Sequence, residues 1–133
     1  MTPFIPHLTL LSAGTSPGTS VFRYVVQPAH CNRIRNLHGG AAATLFDFCT
    51  TMALAPLARP GFWRLLGVSR TLAVTYLRPV PEGAAVLVES EVVAVGRRLA
   101  TVRGVLRRED DGVVCATCEH GKFNTDPEAV GKL

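Results

Sequence analysis

A glycine pair and a lone carboxylate are the residues of this sequence whose types and spacing could do chemistry together. Gly39 and Gly40 follow His38 at the start of an apolar stretch, and Asp47 is the only charged residue between there and Pro56. The first N–H groups of a helix are unpaired and carry partial positive charge, so they could stabilise a developing oxyanion. A carboxylate could act as base or nucleophile, and together these parts would suit hydrolysis of an acyl group.

The stretch from Gly39 to Leu57 is predicted to form one long helix. It contains no proline before Pro56, where the hydrogen-bond ladder cannot continue. A helix that is apolar on all sides either crosses a membrane or is wrapped by other elements. The carboxylate and three threonines inside it disfavour a bilayer. We therefore expect no membrane span, and a core helix whose apolar surroundings disfavour the charged form of Asp47.

Strand patterns surround this helix and predict an antiparallel sheet. Residues 1–18 contain three prolines and two glycines, and we expect an irregular arm there, with at most a short helix or turn. Alternation and turn residues predict five strands, over residues 19–27, 67–77, 84–95, 98–108 and 113–124. Residues 125–133 are expected to form a solvated tail. The pattern indicates one domain, residues 19–124, of the α+β class.

Two arguments predict a homo-oligomer. A sheet curved around one helix leaves an edge strand open, and pairing with a second copy would cover it. Gly39 and Asp47 would also lie about 12 Å apart along the helix axis. One catalytic centre would then need a donor from one chain and a carboxylate from another. We expect a dimer, or a tetramer made of two dimers, with its site at the interface.

The amino-acid composition limits the kinds of partner that the protein could bind. The net charge of +4 and the isoelectric point near 9.2 are mild, and the arginines are scattered. Aromatic and basic residues do not alternate as a nucleic-acid surface requires, so we predict no nucleic-acid partner. A small anionic ligand fits this balance, although the absence of any ligand fits it too. No secretory signal is visible, and we expect an intracellular location, cytoplasmic or mitochondrial.

The four cysteines are predicted to pack as small apolar residues. Cys115 and Cys118 form a CxxC pattern followed by His120, but they fall in a predicted strand, where residues three apart face opposite sides. One such pattern without a second pair is weak support for zinc. We predict no metal and no cofactor.

A purely structural interpretation of the central stretch is also open. The glycine pair could simply provide room at the helix start. His38 could be a loop residue or a buried hydrogen-bonded imidazole, and Asp47 could be a structural acceptor at a dimer seam. Composition and spacing alone do not decide between this interpretation and catalysis.

The order of these residues resembles a known family. The pattern N-x5-HGG-x6-D runs from Asn32 to Asp47 and is followed by an apolar helix and by GVS at residues 67–69. Further matches are VTYLRPV at residues 74–80 and VGRRLAT at residues 95–101. This combination resembles the hotdog-fold acyl-CoA thioesterases of the PaaI type. The resemblance implies an antiparallel sheet of five to six strands wrapped around one long central helix.

The resemblance also implies roles for individual residues in hydrolysing acyl-CoA to free acid and coenzyme A. Asp47 matches the catalytic carboxylate, which activates water or attacks the thioester. The N–H of Gly39 would polarise the thioester carbonyl, and Asn32 would help to place the carbonyl or the water. Ser69 matches a hydroxyl near the catalytic water, which we expect from the other subunit. Asn36 offers a second amide close to HGG, so the choice of Asn32 is not unique.

The remaining implied residues would hold coenzyme A. Gly96, Arg97, Arg98 and Leu99 match the loop at the nucleotide end, where guanidinium groups suit phosphates. Tyr76 matches the pantetheine path, and His38 adjoins the substrate.

The sequence also departs from the family pattern. Arg70 stands where relatives often carry a smaller or neutral residue, and the linker around Trp63 is unusual. Two alternative functions stay open: a hotdog enoyl-CoA hydratase or dehydratase, and a non-catalytic acyl-CoA sensor.

Overall fold

A computed structural model describes residues 3–130 as one curved sheet with a helix against its inner face. Its six strands are antiparallel, in the order β1-β2-β4-β5-β6-β3. The elements in chain order are β1 (Leu8–Thr15), β2 (Gly18–Val25), α1 (Gly39–Met52), β3 (Val68–Tyr76), β4 (Ala85–Val95), β5 (Leu99–Arg108), β6 (Val114–Phe123) and the short α2 (Pro127–Val130). The predicted α+β class, central helix and antiparallel sheet are confirmed.

One face of α1 forms the core with the sheet. Leu45, Phe46 and Cys49 are fully buried on that face. The helix approaches β5 closely because residue 104 is glycine: a Cβ there would lie 2.9 Å from Phe46 Cδ1. The opposite face is open in the single chain, so the helix is not covered on all sides as the sequence suggested.

The central helix is shorter than predicted. It ends at Met52, and a separate 3-10 helix covers Ala55–Leu57. Pro56 has no N–H to donate to the carbonyl of Met52, which explains the break. Gly39–Leu57 is long and apolar enough for a membrane span by length and composition. Its packing against the sheet is that of a core helix, and it is no clear span.

The predictions for the two ends of the chain were wrong in part. The segment expected to be irregular contains β1, which pairs with β2 around a bulge between Leu10 and Ser12. Prolines flank this strand without interrupting it. At the other end Asp126 is fully buried, because its carboxylate accepts the N–H groups of Arg64 and Leu65 at 2.8 and 2.9 Å. The start of the predicted solvated tail thus anchors the linker.

Strand β3 forms one edge of the sheet and, among residues 3–130, has no partner strand on its outer side. All its residues except Val74 are exposed. Apolar side chains are among them: Val68 is 53% exposed and Tyr76 is 54% exposed. This edge lies next to the residues that could do chemistry.

Candidate active site

The start of α1 presents a free backbone donor. His38 is the N-cap residue, and its Nδ1 accepts the N–H of Gly40 at 2.9 Å. The backbone N–H of His38 donates to the carbonyl of His30 at 2.9 Å and holds the turn in place. Within residues 3–130, the N–H of Gly39 has no acceptor. It is therefore available to a ligand, with the helix dipole behind it.

Asn32 is arranged to offer donors. Its Oδ1 accepts the backbone N–H groups of Ile34 at 3.2 Å and of Asn36 at 3.1 Å. Because the amide oxygen is engaged within the loop, the Nδ2 hydrogens are the part of this side chain left for a ligand. Both Asn32 and Asn36 line the same cleft, so the structure does not choose between the two amides.

We call this space, of about 400 Å³, the donor cleft. The Tyr76 hydroxyl lies in it and donates to the carbonyl of Gly39, beside the free N–H. The donor cleft is lined by polar and apolar residues, chiefly Asn32, Asn36, Gly39, Tyr76, Val80 and Ala116. The structure thus brings together three of the predicted site residues: Asn32, Gly39 and Tyr76.

Asp47 lies two turns further along α1, where its carboxylate reaches toward β3 and β6. Its Oδ1 is 3.5 Å from Ser69 Oγ and 3.7 Å from His120 Nε2. The side chain is 52% exposed in the single chain, so the expected apolar cover is wrong for one chain. Ser69 reaches Asp47 from β3 of the same chain, and the expectation that it comes from the other subunit is also wrong.

His120 is a candidate site residue that the sequence interpretation missed. It is fully buried between α1 and β3: its Nε2 is 2.7 Å from Ser69 Oγ, and its Nδ1 is 2.7 Å from Thr50 Oγ1. Burial and the ammonium of Lys122 lower the pKa of His120 below its ordinary value of 6.5, while Asp47 opposes them. The imidazole is therefore neutral near pH 7.

Lys122 is a second residue that was missed. It is only 3% exposed, and its Nζ donates to Thr51 Oγ1 at 2.8 Å. Burial lowers its pKa, and the charge of Asp47 partly offsets this. A signal was available: Cys118, His120 and Lys122 alternate along β6, which places two polar groups on the strand face that packs on the helix.

We call the second space, of about 460 Å³, the carboxylate cleft. Asp47 and Lys122 line it together with the apolar side chains of α1 and of the linker before β3, namely Phe48, Met52, Leu65 and Leu66. The carboxylate cleft therefore has a polar part, formed by Asp47 and Lys122, next to an apolar part.

The β4–β5 turn is fixed from both sides. The indole N–H of Trp63 donates to the carbonyl of Gly96 at 2.7 Å. Asn124 donates through its side chain to the carbonyl of Arg97 at 2.9 Å, and through its backbone to that of Arg98 at 2.7 Å. These contacts hold the turn by its backbone. The side chains of Arg97 and Arg98 are exposed, and the Arg97 guanidinium donates to the carbonyl of Glu128 at 3.4 Å.

A further cavity of about 320 Å³ adjoins this turn. Gly96 and Leu99 line it, and so does Arg70 from β3. Arg70 is the residue at which the β3–β6 pairing shifts register, between Ser69 and Thr71. Such a bulge re-aims side chains, and here Ser69 contacts Asp47 while Arg70 lines the turn cavity.

Asp47 does not meet Gly39 within one chain. The backbone positions of these two residues lie about 12 Å apart along the axis of α1. The two residues also line different clefts. The Gly96–Leu99 turn forms a third region. The predicted site residues therefore fall into three groups, and one chain does not unite them.

The cysteines carry no visible chemistry. All four are free, and within residues 3–130 no three potential ligands from His, Cys, Asp and Glu cluster as a metal would require. Burial raises the pKa of Cys118 to about 12 and that of Cys49 higher still. These thiols stay protonated and pack as apolar groups.

The chain has a sheet curved around one helix, with donors at the helix start and a carboxylate two turns further on. Comparison with known proteins identifies the class that shares this arrangement. The family described as Thioesterase superfamily matches residues 35–115. The chain belongs to this superfamily.

Individual relatives agree. The chain is 34% identical over 115 residues to human acyl-coenzyme A thioesterase 13, covering 86% of this chain and 78% of the relative. The crystal structure of zebrafish thioesterase superfamily member 2 has a TM-score of 0.82 and 32% identity, covering 91% and 83%. A mutant of the phenylacetic acid degradation protein PaaI from Thermus thermophilus has a TM-score of 0.74 and 26% identity, covering 88% and 92%. The predicted hotdog-fold thioesterase of the PaaI type is confirmed.

Proposed function

We propose that the protein hydrolyses acyl-CoA thioesters to a free acid and coenzyme A. The observation that carries the proposal is the contact of Asp47 with Ser69 and His120 at the head of an apolar cleft. A carboxylate and a hydroxyl whose oxygens are 3.5 Å apart can both contact one water molecule that binds beside them. The names of the human and zebrafish relatives support the same reaction.

The electrophile would be activated at the donor cleft. The free N–H of Gly39 and the Nδ2 of Asn32 would bind the thioester carbonyl oxygen and stabilise the oxyanion that forms. The dipole of α1 adds to this because Gly39 is its first residue. The hydroxyl of Tyr76 steadies the same glycine from its carbonyl side.

The nucleophile would be activated at the carboxylate cleft. Asp47 would accept a proton from water as the water oxygen bonds to the acyl carbon. When the oxyanion collapses, the carbon–sulfur bond breaks and the thiolate recovers that proton. Direct attack by Asp47, followed by hydrolysis of the anhydride, is the covalent alternative.

The complete site would require two chains. Within one chain, Gly39 and Asp47 lie about 12 Å apart along α1 and cannot act on the same thioester. Pairing of two chains across their exposed β3 edges would bring the donor cleft of one against the carboxylate cleft of the other. We expect this two-fold dimer to be the active unit, alone or within a tetramer.

Coenzyme A would lie along the subunit surface. The exposed guanidinium groups of Arg97 and Arg98 suit its phosphates. Arg70 lines the adjoining cavity and adds a third positive charge. The pantetheine arm would pass Tyr76 and His38 to reach Gly39, and the acyl chain would enter the apolar part of the carboxylate cleft.

The alternative functions receive less support. A hydratase or dehydratase needs a histidine that meets substrate, but His120 is fully buried. The Nδ1 of His38 is occupied by the N–H of Gly40. A sensor that binds acyl-CoA without turnover is distinguished by experiment.

The test is release of free thiol from short, long and aromatic acyl-CoAs. We expect wild type to release thiol, and Asp47→Asn to lose about 10²–10⁴-fold in kcat because amide cannot accept the proton. Asp110→Asn, at an exposed hairpin tip, is the matched control and should behave as wild type. Binding without release by wild type would favour the sensor, and full activity of Asp47→Asn would remove Asp47 from the site.

A further inference from the structure

A buried hydroxyl sits behind the candidate centre. Thr50 and His120 are both fully buried. Thr50 Oγ1 lies 2.6 Å from the carbonyl oxygen of Phe46 and 2.7 Å from His120 Nδ1. We propose that Thr50 is a positioning residue that keeps the proton of neutral His120 on Nδ1. Ser69 is thereby made a donor to His120, so that only its lone pairs remain for a ligand beside Asp47.

The first step is a count of protons at Thr50. A threonine hydroxyl carries one hydrogen and two lone pairs, whereas a carbonyl oxygen can only accept. At 2.6 Å from the Phe46 carbonyl, Thr50 must therefore be the donor. No hydrogen remains for its second contact, so Thr50 can only accept from His120.

The second step concerns the position of the hydrogen on the His120 imidazole. Since Thr50 accepts, the His120 Nδ1 at 2.7 Å must carry the hydrogen. In a neutral imidazole the other nitrogen is then an acceptor. His120 Nε2 lies 2.7 Å from Ser69 Oγ, so Ser69 must donate to it.

The third step reaches the reacting water, and this consequence rests on the proposed function. The only hydroxyl hydrogen of Ser69 is donated to His120, so the side of Ser69 Oγ that faces Asp47 carries lone pairs alone. At 3.5 Å the contact of Ser69 Oγ with Asp47 Oδ1 is longer than an ordinary O–H···O hydrogen bond, whereas His120 lies 2.7 Å from the same hydroxyl. With the Ser69 hydrogen directed to His120, Ser69 Oγ and Asp47 Oδ1 form a pair of acceptors. A water that donates one O–H to each keeps its own lone pairs free for the thioester carbon.

The opposite arrangement would block this geometry. With a hydrogen on Nε2, His120 would donate to Ser69, and the Ser69 hydroxyl would turn toward Asp47 and occupy it. Two charged groups face the imidazole, Asp47 from α1 and Lys122 from its own strand. Burial and Lys122 both keep the ring neutral, which is the condition that the Thr50 arrangement needs.

The decisive measurement is ¹⁵N NMR of wild-type protein labelled at histidine near pH 7. We expect the His120 resonances to show a protonated Nδ1 and an unprotonated Nε2. A protonated Nε2 would overturn the proposal. This readout needs no turnover: failure to release thiol would refute the proposed function but leave the tautomer measured.

Variants test whether the tautomer matters for rate. Thr50→Val keeps the shape and removes the acceptor, and we expect kcat to fall roughly tenfold with KM unchanged. Thr50→Ser restores the hydroxyl and should restore kcat. Ser20→Ala is the control, since Ser20 is equally buried and its hydroxyl donates to the carbonyl of Cys49 on the same helix at 2.9 Å.

Each outcome decides the question. Loss of kcat in Thr50→Val, together with recovery in Thr50→Ser, supports the proposal. A Thr50→Val enzyme as active as Ser20→Ala would overturn it. A Thr50→Ser enzyme as slow as Thr50→Val would overturn it too, because the methyl group and not the hydroxyl would then be responsible. If Thr50→Val does not fold, the wild-type tautomer remains the test.

Discussion

The two parts of the candidate site, the donor end at the start of α1 and the carboxylate end around Asp47 two turns further on, are built in opposite ways. The donor end consists of backbone groups held by local contacts: His38 caps Gly40, and Asn32 folds its own loop. The carboxylate end consists of side chains from three elements, with Asp47 on α1, Ser69 on β3 and His120 on β6. The donor groups are set mainly by contacts within residues 30–40, whereas the carboxylate end is assembled by tertiary packing.

This difference predicts how each end fails. A backbone donor survives most substitutions because every residue except proline carries an N–H. A side-chain relay fails when any member loses a hydrogen or an acceptor, since each buried group has few partners. The donor end should therefore be broken by one kind of change, and the carboxylate end by several.

The sharpest break at the donor end is Gly39→Pro. Proline is tolerated at the first position of a helix, and His38 already has φ −64° and ψ 140°, which suit a residue before proline. The change removes the N–H, and we expect kcat to fall about 10²–10³-fold, as for loss of one oxyanion donor. Steady-state thiol release measures this.

Gly39→Ala is the matched control for that variant. A Cβ at residue 39 would lie 3.4 Å from the Tyr76 ring, so alanine reproduces this Cβ contact while it keeps the N–H. It should retain most of the activity. Equal losses in both variants would assign the effect to crowding and remove the Gly39 donor from the mechanism.

Mixing two inactive variants tests whether the ends meet across subunits. A dimer of one Asp47→Asn chain and one Gly39→Pro chain would contain one intact site and one doubly damaged site. Random mixing by co-refolding should therefore restore about a quarter of wild-type activity. If both groups acted within one chain, no mixed dimer would have an intact site, and activity would stay at the level of the separate variants.

The same contrast explains what the sequence could predict. The donor end lies within one continuous segment, so local rules for helix starts were enough to find the helix start at His38 and Gly39 and its free N–H. The strands were found because period-two alternation is also local. The helix was predicted to extend too far because its end was placed at Pro56 itself. The hydrogen bond that Pro56 cannot donate would be accepted by the carbonyl of Met52, four residues earlier, and the helix ends there.

The carboxylate end was only half predictable, for a physical reason. Ser69 is 22 residues from Asp47, and His120 is 51 residues from Ser69. No local pattern states that β3 and β6 are neighbours, so His120 was interpreted with the nearby cysteines. The family resemblance supplied Ser69 but assigned it to the other subunit. Lys122 required knowing which face of β6 packs on the helix.

The smallest expected effect is the pH dependence of stability at the carboxylate end. The pKa of His120 lies below 6.5 in the folded protein, so the unfolded chain binds more protons at this residue once the pH falls below about 6.5. The free energy of unfolding should therefore decrease as the pH falls through that window, and this contribution should level off below the folded pKa.

Urea unfolding of wild type and His120→Gln at several pH values between 5 and 8 isolates this contribution. The surface carboxylates titrate alike in both proteins, so the difference between the two curves belongs to residue 120. We expect that difference to shift in favour of the variant as the pH falls. Parallel curves would mean that His120 takes up protons equally well in the folded and unfolded states. That result would contradict the buried, neutral imidazole that the proposal for the carboxylate end requires. The proposal for the donor end does not depend on it.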